Sequence, residues 1–176
     1  LCYLCNLWFF RSEEEHAVAD TARGTIGPKI IQLSVFLENR VGLLLKLTKQ
    51  LEQYEVHICA LSIIDTADTA VIRMIVDNIP AAKKAFQERG LTVYESDLIG
   101  VELPIAQGIG VSSILGTLLR AEINVHYVYS LITRSNGNPV IALHVDSHET
   151  AVKILKNHDL ALVGQDDIQW EGSEGS

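Results

Sequence analysis

Residues 37–63 read LENRVGLLLKLTKQLEQYEVHICALSI, and the hydrophobic pattern changes twice within them. A polar turn of Glu38, Asn39 and Arg40 ends in Gly42. It gives way to Leu44, Leu47 and Leu51 at i, i+3 and i+7, the spacing of one helix face. Lys46, Lys49, Gln50 and Gln53 are expected to face water. From His57 the pattern turns β-rich, so the stretch predicts a turn, a helix to about Tyr54 and a strand over residues 57–65.

The flanking sequence completes a unit. Residues 30–37 (IIQLSVFL) form a β-branched strand before the turn. Residues 70–76 (AVIRMIV) pair back on residues 57–65 as a hairpin around 66–68. Pro80 sits in the first turn of a second helix with inner face Ala82, Ala85 and Phe86, stopped by Gly90. Residues 92–96 then close the unit as a fourth strand. The order βαββαβ, with two helices on one face of an antiparallel sheet, is the ferredoxin-like arrangement with strand order 4-1-3-2.

The same order begins again at residue 98. A strand over 98–103 leads to a glycine-containing turn at 107–110. A helix follows with Val111, Ile114, Leu115, Leu118 and Leu119 as a full apolar stripe. Residues 125–133 and 140–145 form a hairpin around Asn136, Gly137, Asn138 and Pro139. Ser147 caps a helix through about His158, and residues 161–163 make a last short strand. Gly42 precedes His57 by about fifteen positions, and Asn124 follows Gly108 by about sixteen and Gly110 by about fourteen, an internal repeat.

The chain therefore divides into a leader at 1–29, expected to be mobile or extraneous, units at 30–97 and 98–168, and a polar tail at 169–176. The fold class is α+β, two ferredoxin-like units in tandem. A unit of about 70 residues is small for a sole core, so the two are expected to join their sheets or dock their helices.

Charge excludes several partners. Of 176 residues, 14 are Lys or Arg against 22 Asp or Glu, a formal net charge of −8. Neither half carries a basic excess, which argues against nucleic acid or an anionic membrane surface. The apolar run at 1–10 is half of what crosses a bilayer and lacks signal-peptide flanks. Cys2, Cys5 and Cys59 are too few and too odd for a disulfide scaffold, which points to a reducing, cytoplasmic setting. The C-x-x-C has no second ligand pair, and His144 and His148 straddle a strand end and a helix start, so no metal site is expected. Tyr127 and Tyr129 share a strand face and read as packing, with His126 on the other.

The turn after the first strand of each unit carries the chemistry. Helix N-terminal N–H groups carry partial positive charge and favour a carboxylate. Gly42 has no Cβ to obstruct an approaching ligand, and Asn39 offers a donor and an acceptor together. A bound zwitterion would find both charges met.

Residues 37–63 resemble the opening of an ACT domain, the amino-acid-sensing module of biosynthetic enzymes and their regulators. The E-N-R-P-G-like turn, the amphipathic helix and the strand opening fall in register. The two repeats are similar to stand-alone tandem ACT proteins, which are not enzymes and need no cofactor. The resemblance implies ligand contact by Asn39 and Gly42, with Arg40, Val41 and Leu43 beside them. It also implies that Asn124, opening the second strand of the second unit, reaches the ligand across the interface between units. His57, next to Ile58, stands where the first unit would have that Asn, and Val41 replaces the usual Pro. In the second unit Ile105, Ala106, Gln107 and Gly108 replace the Asn-Arg-Pro-Gly-like string, so one good site per pair of turns or per chain is expected rather than two alike, with Gln107 and Gly108 among the ligand contacts. The implied function is an amino-acid-binding regulator, a homodimer. The alternative is a regulatory subunit of a biosynthetic enzyme, similar to the small subunit of acetolactate synthase.

Other users of this fold fit less well. Acylphosphatases need an Arg after the first turn, where Val111 and Ser112 follow. RNA-binding sheets need aromatics on central strands, and residues 70–76 and 140–145 have none. Metal carriers need Cys in the first turn, absent from residues 38–42.

Overall fold

The structure, a computed structural model, describes residues 27–38, 40–65, 69–104 and 108–168. Among these residues four helices and seven strands follow in the order expected, two of the eight expected strands being merged into one. They are β1 (Ile30–Glu38), α1 (Leu43–Gln53), β2 (Ile58–Asp65), β3 (Thr69–Val76), α2 (Ile79–Gln87) and β4 (Val93–Glu102). Then come α3 (Val111–Arg120), β5 (Val125–Ser135), β6 (Asn138–Val145), α4 (His148–Asn157) and β7 (Leu162–Val163), with a 3-10 turn at Gln165–Asp167. The leader at 1–26, the hairpin turn at 66–68 and the tail from residue 169 lie outside the described residues.

The expected strand order appears in both units: β4-β1-β3-β2 in the first and β7-β4-β6-β5 in the second. All ladders are antiparallel. The strands expected separately at 92–96 and 98–103 are one strand, β4, shared by both units. Its first half pairs with β1, from Val35–Val93 to Ile30–Leu98, and its second half pairs with β6 and β7. Nothing between Ser96 and Leu98 forces a turn, and Asp97 stays extended, with its carboxylate 3.0 Å from Lys29 Nζ.

Each unit has its own core between sheet and helices. In the first, Leu33, Val35, Met74 and Phe86 pack against Leu47 and Leu51 of α1. In the second, Ile99, Val101 and Leu143 pack against Ile114, Leu118, Val152 and Leu155. A third core lies between the helix-free faces of the two sheets, where Ile30, Ala60, Ile75 and Leu98 meet Leu131, Val140, Ala142 and Val163. The units therefore dock by their sheets.

Two details differ from expectation. Gln50 is buried rather than water-facing, because its amide donates to the Ala85 carbonyl between α1 and α2. Leu119 is exposed and Thr117 takes the buried position, its hydroxyl bonded back to Ser113 O at 3.0 Å. The chain after β7 is also packed: Ile168 is buried, and the Gln165 side chain accepts from Ile31 N at 3.1 Å and donates to Val76 O at 2.9 Å.

Candidate functional site

The first-unit turn is short, four residues between β1 and α1. Asn39 lies outside the described residues. Arg40 turns back on Glu38 at 2.8 Å, both exposed, an ion pair of little net energy. Val41 is fully exposed at the tip. Gly42 caps α1 with φ 83°, and a Cβ there would meet nothing within 4 Å. Its glycine is therefore required by the left-handed backbone, and among the described residues none fills the space that it leaves. Leu43 begins the helix, half-buried.

The second-unit turn is eight residues long. Gln107, with Ile105 and Ala106, lies outside the described residues. Gly108 is exposed with φ 76°, and Gly110 caps α3 with extended backbone.

The strand openings share a device that the sequence reading missed. Asp77, just after β3, accepts from the His57 backbone N–H at 2.9 Å and holds the His57 ring Nδ1 at 2.7 Å, while its own N–H donates to His57 O. Asp146, just after β6, accepts from Asn124 N at 3.3 Å and donates to Asn124 O. The repeated Val76-Asp77-Asn78 and Val145-Asp146-Ser147 strings were the available signal. His57 thus has a structural role at the strand end, while the Asn124 side chain faces solvent.

Register shows which of these residues meet. Ile58 pairs with Val76 at one end of the first sheet, and Glu38 pairs with Thr69 at the other. Val125 pairs with Val145, near the level of Asp97 on β4. Both strand openings therefore lie level with the middle of β4, and the two turns lie beyond its opposite ends. At ~3.3 Å per residue, roughly 20–26 Å separates each turn from the strand openings. One chain brings Arg40, Val41, Gly42 and Leu43 together and, separately, His57 and Ile58. It does not bring the turn to Asn124.

Between the sheets lies a buried polar layer. Gln32, 1% exposed, donates to Ser34 Oγ and Tyr127 OH, both at 3.1 Å, and accepts from Tyr129 OH at 2.8 Å. The Arg73 guanidinium sits 4.1 Å over the Tyr127 ring, which also stacks on His144 at 4.8 Å and on Tyr129 at 6.3 Å. Burial, then the charges of His126, Arg73 and His148, lower the His144 pKa to about 4. Burial and Tyr127 push the Tyr129 phenol far above its usual range. Tyr127 and Tyr129 do pack, as expected, and they also hydrogen-bond the two units together. Cys59 is buried, which with Asp77 raises its thiol to about 12 and leaves it a poor nucleophile.

Among the described residues no three His, Cys, Asp or Glu are grouped to hold a metal, and no helix is long and apolar enough to cross a membrane.

Two ferredoxin-like units that share a strand and expose a glycine turn at each end define a tandem, helix-backed sheet protein. Residues 28–170 match the ACT domain pair family, and the chain belongs to it. ACT domains are regulatory modules rather than catalytic ones. Among solved structures, the chain is similar to protein BT0572 from Bacteroides thetaiotaomicron, with 27% identity over 79% of this chain and 94% of that one and a TM-score of 0.71. The regulatory subunit of aspartate kinase from Thermus thermophilus, in its ligand-free form, shares the fold at 12% identity. That match covers 74% of this chain and 90% of that one, with a TM-score of 0.52. No curated protein matches the sequence.

Proposed function

We propose that the chain is a non-catalytic, cytoplasmic regulator that binds an amino acid at the interface between ACT units of two chains in a homodimer. One observation carries the reading: the turn of residues 39–43 exposes Val41 and an unobstructed Gly42 at a helix N-terminus, roughly 26 Å from the strand openings of its own chain. A site that uses both Asn39 and Asn124 then takes them from different chains. The ligand's carboxylate faces the positive end of α1, and the second chain covers Val41. Binding favours the assembled state, and that bias is the signal.

A second reading is supported by the helix-free face of the first sheet beyond the inter-sheet core. There Phe36 and Tyr94, with ring centroids 5.5 Å apart, and Ile64 are exposed. In that reading the face docks on a catalytic partner, as for a small regulatory subunit. A thermal-shift screen of the twenty amino acids, with sedimentation of the same samples, separates the two. A dimer stabilised by an amino acid supports the sensor; a monomer indifferent to all twenty supports the subunit.

A further inference from the structure

The first unit contains a pocket of about 240 Å³ lined by Leu37, Leu43, Leu47, Leu91 and Arg89. It opens at the end of that unit's core, between the end of β1, the first turns of α1 and the loop after α2. Four leucines make it apolar, and Arg89 is exposed and has no ion-pair partner among the described residues.

The second unit shows what a closed version of this end looks like. The segments 89–91 and 158–160 superpose in their bonding: Leu91 N donates to Phe86 O, and Leu160 N to Leu155 O, with Gly90 at φ 69° and Asp159 at φ 55°. His158 stands where Arg89 does, and its ring Nδ1 is 2.9 Å from Ile154 O. Leu103 and Leu160 are 7% and 9% exposed, and Ile109, from the longer turn, packs onto that core. In the first unit the corresponding Leu37 and Leu91 are only half-buried.

We infer that this pocket binds a small branched aliphatic carboxylate, its tail among the leucines and its carboxylate on Arg89. At about 240 Å³ the pocket falls just below the roughly 300–1,000 Å³ of sites for drug-sized ligands, which suits a five- or six-carbon branched acid. Arg89 supplies a planar fork matched to a carboxylate. None of the five described lining residues carries a side-chain acceptor for an ammonium, and the Arg89 guanidinium that holds the carboxylate repels an adjacent positive charge. The pocket therefore prefers the 2-oxo acid or the simple acid to the amino acid of the same skeleton. It lies within one chain, and although it shares Leu43 with the turn of the two-chain site it needs neither Asn39 nor Asn124.

The test is a titration of the full chain with 4-methyl-2-oxopentanoate, 3-methylbutanoate and leucine, read by the methyl resonances of Leu37, Leu43 and Leu91. It is repeated on Arg89→Gln, an exposed position, and on Leu91→Phe, which fills the pocket. The expected result is saturable shifts with a Kd of about 1 mM or tighter for the two acids. Binding should weaken at least about tenfold in Arg89→Gln and be lost in Leu91→Phe, while persisting in Asn39→Ala. No saturable shift with either acid, or equal binding in wild type and Arg89→Gln, overturns the inference. So does tighter binding of leucine than of its oxo acid at these methyls. Leucine binding that depends on Asn39, with no saturable shift from either acid, leaves the two-chain site standing and removes this one.

Discussion

The two units fold alike and finish differently. The second closes its β4–α3 end with Ile109 over buried Leu103 and Leu160, and its helix-free face is covered, with Leu131, Val140, Ala142 and Val163 all buried in the inter-sheet core. The first leaves its β1–α1 end open beside Arg89 and keeps Phe36, Ile64 and Tyr94 of its sheet exposed. A short turn and a bare sheet end are surfaces for other molecules, and a long turn with its own plug is a base. On the proposed function, recognition falls to the first unit, with Asn124, at the junction, as the second unit's contribution.

The comparison breaks most visibly if the units are energetically separate. Leu51→Ala in the first core and Leu118→Ala in the second, both fully buried, should each cost about 2–5 kcal/mol. Because β4 belongs to both sheets, each should lower one common unfolding transition in calorimetry; two resolved transitions would show independent units. Tyr129→Phe removes the donor that satisfies buried Gln32 and should cost about 1–3 kcal/mol, measured by urea unfolding.

Acid should loosen the junction between the units. His144 has a folded pKa of about 4 against 6.5 unperturbed, so between these values the unfolded chain binds the extra proton. Its contribution to stability is complete above about pH 6.5 and is lost as pH falls toward 4. The wild-type loss of stability over that window should be larger than that of His144→Phe; parallel curves would remove His144 as the cause.

The smallest effects contrast the two helix caps. Gly42→Ser forces a side chain into φ 83° and should cost about 1–2 kcal/mol. Gly110→Ser, at an extended cap with open space around it, should gain a few tenths. Equal effects by thermal melts would show that the left-handed turn of the first unit is not special.

Much of this was legible because it is local. The leucine stripe of α1, the inner face of α2 and the left-handed stops at Gly42 and Gly90 follow from spacing and residue type, and the repeat then sets the strand order. The continuity of β4 was hidden because Ser96 and Asp97 look like a break in an apolar run, although β1 supplies hydrogen-bond partners across it. Gln50 reads as a surface residue until the Ala85 carbonyl of the other helix is in place. The turn residues were identifiable, but their separation from Asn124 is a consequence of sheet register, which no local window contains. The open pocket was equally hidden, since it depends on Val41, just before the α1 cap, lying exposed where Ile109, just before the α3 cap, packs inward.

The claim that one chain cannot assemble the amino-acid site has a direct test. Asn39→Ala and Asn124→Ala chains are each mixed with themselves and then with one another, unfolded and refolded together, and titrated by calorimetry with whichever amino acid stabilises the wild type. A site drawn from two chains is lost in each variant alone and regained in the mixture, one intact site per mixed dimer. A mixture as inactive as its parents would place Asn39 and Asn124 outside any shared two-chain site and contradict the account.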